Sequence, residues 1–424
     1  MNYLNMSKTE LEKEREALLK EYENYKSKGL SLNMARGKPS PEQLDLSLGI
    51  LDTVTSKDSL LSDDGVDCRN YGGFDGITEC KALFADILET SPKNVLVGGN
   101  SSLNLMFDTI SCFMTAPVYE DTQPWYEVKD RKFLCPVPGY DRHFGVTGYF
   151  GFDMIPVPMN ENGPDMDVVE KLVAEDNSIK GIWCVPKYSN PTGITYSDEV
   201  VKRLAALKPA AKDFRIMWDN AYAIHDVSDT PDTLLSIVDE CKKNGNEDIP
   251  ILFCSTSKVT FSGAGVAAMA ASDHNISVLK ARLQYATIGY DKINMLRHTR
   301  FFKNLNGLKE HMQKHKALLA PKFSTVTNKL SENLDGLNIA EWTNPNGGYF
   351  VSVNVYKNTA KRVVELCKEA GVVLTGAGAT FPNGIDPENK NIRIAPSFPS
   401  VDELAVAMDI FCICAKLAAV EAMV

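Results

Sequence analysis

Short apolar runs that alternate with helical patterns most restrict how this chain can fold. Between residues 58 and 294 each run leads into a polar segment and then an amphipathic stretch, such as residues 197–207. Strands of a parallel sheet are covered on both faces, so their sequences are apolar throughout. The alternation therefore predicts an α/β fold with a mostly parallel sheet between helices. The predicted strands are residues 94–97, 132–135, 181–185, 215–218 and 249–254.

The length of the chain predicts a second, smaller domain. A chain of 424 residues exceeds one typical core. We expect residues 58–294 to form the large domain, with residues 1–57 and 295–424 forming a small α/β domain with linking helices. A capping-box pattern at Ser7 and Glu10 predicts an N-terminal helix, either a solvated surface element or an arm across a subunit interface. The other elements predicted for the small domain are strands 349–355 and 391–394 and helices 361–370 and 401–424.

Composition narrows the class of protein. The net charge of −10 argues against nucleic acid or an anionic membrane as a partner. The N-terminus lacks the apolar core of a signal peptide, and no run approaches a membrane span, so we expect a cytoplasmic protein. The ten cysteines lack zinc spacing, and Cys412 and Cys414 lie in an apolar helical pattern. We therefore expect reduced, hydrophobic cysteines and no metal site.

Distinctive polar residues follow several of the predicted strands. Lys258 comes shortly after one strand, Asp219 directly after another, and Asn190 in the loop after a third. Each has an ordinary explanation: Asp219 as a helix cap, Asn190 as part of a turn, and the glycine-rich segment 98–102 as a strand-to-helix loop. Their common position favours a ligand site, because ligands of open α/β sheets bind outside the carboxyl ends of the strands.

The chemistry that unites these residues is that of pyridoxal 5′-phosphate. The amine of Lys258 can bind the aldehyde of the cofactor. The carboxylate of Asp219 can keep the pyridine nitrogen protonated. Segment 98–102 precedes a helical pattern, and N–H groups at a helix N-terminus bind phosphate. The Asn190 amide and the Tyr222 hydroxyl can donate to the phenolic oxygen.

Two further positions complete this set. Tyr140 follows the strand at residues 132–135 and can stack on the cofactor ring, with His143 close behind. Arg393 lies on the short predicted strand 391–394 and offers a fork-shaped cation for a substrate carboxylate.

Together these residues resemble the class I/II aminotransferases of fold type I, which depend on pyridoxal phosphate, and especially their MocR-like aspartate aminotransferase branch. The resemblance runs from about Asn33 to Arg393. It implies the PLP-transferase fold with a seven-stranded type of sheet, catalytic roles for Lys258, Asp219 and Tyr222, and a homodimer with shared active sites. The cofactor-binding residues that it implies are Gly99, Asn100, Ser101, Ser102, Tyr140, Asn190, Asp219, Tyr222, Ser255, Ser257, Lys258 and, reaching the neighbouring subunit, Tyr71. The substrate-binding residues that it implies are Arg393, Gly37 and Asn190.

One departure from the family pattern concerns the phosphate. Many relatives have an arginine eight residues after the lysine, where this chain has Val266. We therefore expect Ser101, Ser102, Ser255 and Ser257, with the backbone of the loop, to supply more of the hydrogen bonds to the phosphate.

The resemblance also implies the reaction, which is transfer of an amino group from aspartate to 2-oxoglutarate with ping-pong kinetics. Lys258 would carry the proton between the substrate and the cofactor. A dicarboxylic substrate needs a second cation besides Arg393. Arg36 is the first candidate, Lys292 and Arg297 are others, and each can equally be a surface charge.

Two other functions start from similar residues. A carbon–sulfur β-lyase can use the same cofactor residues, because both reactions begin with the same carbanion. A non-catalytic MocR-like regulatory module would need about 60–80 basic residues of a DNA-binding domain before the core. Only the residues before Asn33 precede the core here, which disfavours the regulator.

Overall fold

Thirteen strands and thirteen α-helices are present in residues 2–424, the part of the chain that this computed structural model describes. The strands are β1 (Leu32–Asn33), β2 (Val95–Val97), β3 (Lys132–Val137), β4 (Asp153–Asn160), β5 (Gly163–Pro164), β6 (Ile179–Cys184), β7 (Arg215–Asp219), β8 (Pro250–Ser255), β9 (Ala267–Ala270), β10 (Ala340–Trp342), β11 (Val351–Val355), β12 (Val372–Val373) and β13 (Asn391–Ile394). The helices are α1 (Lys8–Lys26), α2 (Pro41–Asp45), α3 (Thr78–Leu88), α4 (Ser102–Thr115), α5 (Asp141–Tyr149), α6 (Met166–Glu175), α7 (Asp198–Ala205), α8 (Ile237–Asn244), α9 (Asp273–Leu283), α10 (Lys292–Phe302), α11 (Leu305–Leu334), α12 (Ala360–Glu369) and α13 (Val401–Met423).

The large sheet has the order β2-β9-β8-β7-β6-β3-β4-β5. Its central neighbours β8, β7, β6, β3 and β4 are parallel, whereas β9 is antiparallel to both β2 and β8. The predicted mostly parallel α/β fold is thus confirmed. The sheet has eight strands rather than seven, because the two-residue strand β5 adds an antiparallel edge.

The register of the sheet brings the candidate residues to one edge. Asp219, the last residue of β7, pairs with Phe253 of β8, so Ser255 lies two residues further toward the same edge. Strands β2, β3 and β6 point the same way as β7 and β8. The loops that follow these strands therefore meet at one edge, as the ends of parallel strands do.

The C-terminal part forms a smaller layered unit. Strands β10, β11 and β13 make an antiparallel sheet, and α1 packs against α13. Helix α1 begins at the predicted capping box, where the N–H of Ser7 donates to Glu10 Oε2 at 2.7 Å. Leu11, Leu18 and Tyr22 bury its apolar face in the core shared with α13. Strands β1 and β12 form a separate two-stranded parallel sheet. The N–H of Ala395, just after β13, donates to the carbonyl oxygen of Met34 and so holds the segment after Asn33 beside the three-stranded sheet.

Helices α10 and α11 link the two sheets and correspond to the linking helices expected from the sequence. The division of the chain at residues 57/58 and 294/295 stays a prediction, and α10 crosses the second of these boundaries. Across residues 2–424, no helix is both long and apolar enough to cross a membrane. All ten cysteines are buried and free, so Cys412 and Cys414 are core residues, as predicted.

Candidate active site

A cavity of about 510 Å³ lies at the edge of the large sheet where its parallel strands end. Segments from the large sheet, the N-terminal region and the smaller sheet all line it. The predicted residues that line it are Arg36, Gly37, Ser101, Ser102, Tyr140, Asn190, Asp219, Tyr222, Ser255, Ser257, Lys258 and Arg393. A cavity of about 620 Å³ lies at the amino ends of β7 and β8 and contains none of these residues. The chemistry predicted from the sequence is therefore concentrated in the first cavity.

Lys258 lies in a tight turn just after β8. The carbonyl oxygen of Thr256 accepts hydrogen bonds from the N–H groups of Val259 and Thr260, both at 2.9 Å, which fixes this turn. The Lys258 amine lies 4.9 Å from the centre of the Tyr222 ring. Burial lowers the pKa of the Lys258 amine. A lowered pKa raises the fraction of neutral, nucleophilic amine.

Two histidines of α11 contact the backbone of the same turn. The Nε2 atoms of His311 and His315 each lie 3.0 Å from the carbonyl oxygen of Val259. The amide nitrogen of Gln43 donates to His315 Nδ1 at 3.1 Å, so neutral His315 carries its proton at Nε2 and donates to this carbonyl oxygen. The turn of Lys258 is thus attached to the linking helix.

Asp219 is buried at the end of β7 with one oxygen engaged and one open. Its Oδ2 lies 2.9 Å from Nε2 of His143. The His143 ring stacks on Trp183, with centroids 4.2 Å apart and planes 8° from parallel. Asp219 Oδ1 is buried and has no hydrogen-bond partner among residues 2–424. An orphaned carboxylate oxygen needs a donor, and the protonated pyridine nitrogen of the predicted cofactor fits that need.

Tyr140 and Tyr222 flank this carboxylate. Burial raises the pKa of the Tyr140 hydroxyl to about 12, and it also raises the pKa of the Tyr222 hydroxyl well above its usual value. Both phenols therefore stay protonated at neutral pH. The Tyr140 ring meets His143 edge-on, with centroids 4.9 Å apart.

The amino end of α4 and a serine cluster form the phosphate side of the cavity. The side chain of Ser101, the N-cap residue, makes no capping hydrogen bond within the described chain, so N–H groups at this helix end are available to an anion. Ser255 Oγ donates to Ser257 Oγ at 3.0 Å, and Ser257 Oγ in turn donates to the carbonyl oxygen of Asn100 at 3.1 Å. These neutral hydroxyls would have to turn away from these partners to donate to a phosphate group.

Three residues that the sequence assigns to the cofactor lie outside the cavity lining. The carbonyl oxygen of Gly99 accepts from the N–H of Ala267 at 3.1 Å, which continues the pairing of the sheet. The Asn100 amide donates to the carbonyl oxygen of Gly263 at 3.3 Å. The side chain of Tyr71 is largely exposed, away from the cavity of its own chain. Contact of these residues with the cofactor stays a prediction.

The position usually held by an arginine is apolar in this chain. Val266 is buried in the core, and its N–H donates to Thr256 Oγ1 at 2.8 Å. Its side chain therefore offers no cation to the phosphate.

Arg393 enters the cavity from β13 and is held by several side chains. Its Nη1 donates to Asn190 Oδ1 and to Asp141 Oδ1, each at 3.1 Å, and its Nη2 donates to Thr375 Oγ1 at 3.3 Å. The guanidinium lies over the ring of Phe350, 4.7 Å from its centre. The Asn190 oxygen is thus used by Arg393, which directs the amide NH₂ group elsewhere. Asp141, Thr375 and Phe350 carry no signal in the sequence, because their roles depend on distant parts of the chain.

Gly37 packs where a side chain would not fit. A Cβ atom at Gly37 would lie 2.5 Å from Cζ of Phe350, so a glycine lets the N-terminal segment approach that ring. Arg36 is exposed and lines the cavity. Lys292 and Arg297 do not line the cavity of their own chain, and their candidacy for the second cation stays a prediction. Lys38 and Arg142 also line the cavity, although the sequence analysis does not predict them.

No metal chemistry is indicated by the described side chains. Within residues 2–424, no group of three or more His, Cys, Asp or Glu residues is arranged to hold a metal ion.

Comparison with known proteins places this arrangement in context. A profile of the family described as aspartate amino-transferase matches residues 6–424. An aspartate aminotransferase of Corynebacterium glutamicum is 47% identical over 406 residues, which cover 96% of this chain and 94% of that protein. A putative aminotransferase of Mycolicibacterium smegmatis is 46% identical over 424 residues, which cover 100% of this chain and 99% of that protein. The solved structure of an aspartate transaminase from Corynebacterium glutamicum matches with a TM-score of 0.97 at 45% identity, with 100% of each chain covered. The MocR-like branch stays a prediction.

Proposed function

Because the chain belongs to the aspartate aminotransferase family, given its match over residues 6–424, we propose that it moves an amino group from aspartate to 2-oxoglutarate. The cofactor is pyridoxal 5′-phosphate, and the reaction is ping-pong. The observation that carries the proposal is that the Lys258 amine, the open oxygen of Asp219 and the Arg393 guanidinium share one cavity. These groups would hold the aldehyde of the cofactor, its ring nitrogen and the substrate carboxylate, respectively.

Each of these residues has a defined task in the transfer. Pyridoxal phosphate, when bound, supplies an electron sink for the charge that develops at the substrate α-carbon. Lys258 Nζ would take the proton from the substrate α-carbon, a role that its lowered pKa favours. Asp219 Oδ1 would hold the ring nitrogen of the cofactor in its protonated form, and His143 orients this carboxylate through Oδ2. The Tyr222 hydroxyl and the Asn190 amide would donate to the phenolic oxygen of the cofactor.

The choice of aspartate rests on the cations of the cavity and on the relatives. Arg393 binds the α-carboxylate of the substrate through its fork of N–H groups. Arg36 is our choice for the second carboxylate because it lines the same cavity and is exposed there. The relative that is 47% identical carries the name aspartate aminotransferase.

We also propose that the protein works as a homodimer, in which Tyr71 reaches the cofactor phosphate of the neighbouring subunit. This proposal is supported by the exposure of Tyr71, which is 79%. A twofold dimer is the commonest closed assembly of identical chains.

A panel of amino donors tests the proposal. The purified protein, reconstituted with pyridoxal phosphate, is incubated with 2-oxoglutarate and each donor, and glutamate and the oxo acid are measured. We expect aspartate to give the highest kcat/KM and the Lys258→Ala variant to give no product above background. A β-lyase would instead release ammonia and pyruvate without any acceptor. That result, or the absence of glutamate with every donor, would refute the proposed transfer.

A further inference from the structure

The guanidinium of Arg393 already holds a carboxylate that belongs to its own chain. Within residues 2–424 its one ion pair is with Asp141, whose Oδ1 lies 3.1 Å from Nη1. Its two other side-chain acceptors, Asn190 and Thr375, are neutral. The Arg393 side chain is only 6% exposed, and an unpaired charge at such a buried position is costly. Asp141 therefore supplies the counter-charge of Arg393 before any substrate arrives.

Asp141 is placed where it can leave this contact, whereas Arg393 is held in place. Asp141 is the first residue of α5, lines the cavity and has a side chain that is 36% exposed. Water can solvate its carboxylate outside the contact, and the amino end of the helix stabilises the charge there as well. Arg393 is fixed by Asn190 and Thr375 and by the ring of Phe350 beneath it. When two carboxylates compete for this guanidinium, Asp141 is the one that moves.

We propose that Asp141 is a resident counter-ion that a substrate carboxylate has to displace from Arg393, and that it thereby sets the affinity of the site for carboxylates. The role in substrate binding rests on the proposed function, because it takes Arg393 as the residue that binds the α-carboxylate. Two carboxylates on one guanidinium repel each other, so Asp141 adds a free-energy cost to the binding of every carboxylate ligand. Because this cost affects binding, it changes KM more than kcat.

The test measures binding without turnover. Succinate is a dicarboxylate without an amino or oxo group, so its Kd for the holoenzyme can be measured by calorimetry. We expect Asp141→Asn to lower the Kd of succinate by roughly five- to tenfold, the size of a partly exposed ion pair. The KM for the amino donor should fall in parallel. Asp130→Asn is the matched control, because it removes the same charge from the exposed segment before β3 and should leave the Kd unchanged.

Each outcome supports or overturns the inference. An unchanged or higher Kd in Asp141→Asn would overturn it, and a higher Kd would mean that Asp141 orients the guanidinium instead. Asp141→Ser serves as a second variant if the asparagine protein folds poorly, and it should bind succinate more tightly too. If no donor supports transamination but succinate binds more tightly to both variants, the proposed function fails while the counter-ion role stands. If transamination is intact and the Kd does not fall, only the counter-ion role fails.

Discussion

Exchange of Asp219 for asparagine is expected to lower kcat by roughly 10²- to 10⁴-fold while the fold stays intact. Asparagine keeps the shape of the side chain, and its amide oxygen can still accept from His143. The open position at Oδ1 would change from a charged acceptor into an NH₂ donor or a neutral oxygen. The ring nitrogen of the cofactor would then lose the charge that keeps it protonated, and with it the electron sink.

The size of the expected fall in kcat follows from the burial of Asp219 and from the lack of a hydrogen-bond partner at its Oδ1 within residues 2–424. Asp219 is 3% exposed, so solvent does little to screen its charge. At a hydrogen-bond distance of about 3 Å and an effective dielectric constant of about 20, two unit charges attract by roughly 5 kcal/mol. The net value of a hydrogen bond to a charged group is smaller, about 1.5–3 kcal/mol. A loss of about 3–5 kcal/mol lies between these bounds and corresponds to the expected fall in kcat.

The control is a second buried aspartate far from the cavity. Asp213 is also 3% exposed. It holds Lys180 at 2.8 Å and accepts from the Trp125 indole at 2.9 Å. Asp213→Asn should lower the free energy of unfolding by about 3–5 kcal/mol, because Lys180 loses its buried partner, but kcat per folded molecule should stay close to wild type. Steady-state kinetics and urea unfolding of both variants give the comparison. A near-wild-type kcat in Asp219→Asn would refute the assignment of Oδ1 to the ring nitrogen.

Three further predictions concern assembly, packing and pH. Mixing inactive Lys258→Ala protein with an impaired Tyr71→Phe variant should restore activity through exchanged dimers that contain one complete site; subunit exchange without recovery would place Tyr71 in its own chain. Gly37→Ala should raise the KM for amino acids roughly tenfold. Overpacking against Phe350 costs about 1–3 kcal/mol and displaces the ring beneath the substrate-binding guanidinium. An unchanged KM would show that the segment around Gly37 shifts without cost to make room for the methyl group. Burial lowers the pKa of His315 to about 4. As the pH falls below about 6.5, His315 is therefore protonated in the unfolded chain but stays neutral in the folded one. The free energy of unfolding falls progressively down to pH 4, by up to about 3 kcal/mol. Urea unfolding at pH 7 and pH 5 should show a smaller loss in His315→Gln, which keeps a donor but does not titrate, and an equal loss would contradict this source of the pH dependence.

The parts of the fold that follow from local sequence are predictable. The parallel strands that the sequence predicts are largely apolar runs, and the polar residues at their ends follow from where each run stops. Strand β4 is not among them, because it is partly exposed and contains Pro156 and Pro158. Strand β9 is not among the predicted strands because its sequence, Ala-Ala-Met-Ala, is rich in helix-forming residues. It is a strand because it is buried between β2 and β8, where both neighbours need hydrogen-bond partners. Tertiary context therefore overrides propensity at this position.

A site residue can be predicted from the sequence when its role follows from the chemistry of its own side chain. Lys258 and Asp219 are recognisable from their type and their place after a strand. Asp141 is not, because its role comes from Arg393, 252 residues further along the chain. His143 attracts notice through its nearness to Tyr140, but its bond to Asp219 joins residues 76 positions apart. Such pairings exist only after the strands have assembled.

The attachment of the Lys258 turn to α11 has a mechanical consequence. His311 and His315 hold the carbonyl group next to the lysine, and their helix, which is 30 residues long in all, ends at Leu334 shortly before the smaller sheet that carries Arg393. A tilt of this helix would move the turn and the Lys258 amine with it. Such a movement would change the distance between the Lys258 amine and Arg393, which lies on β13 of the smaller sheet.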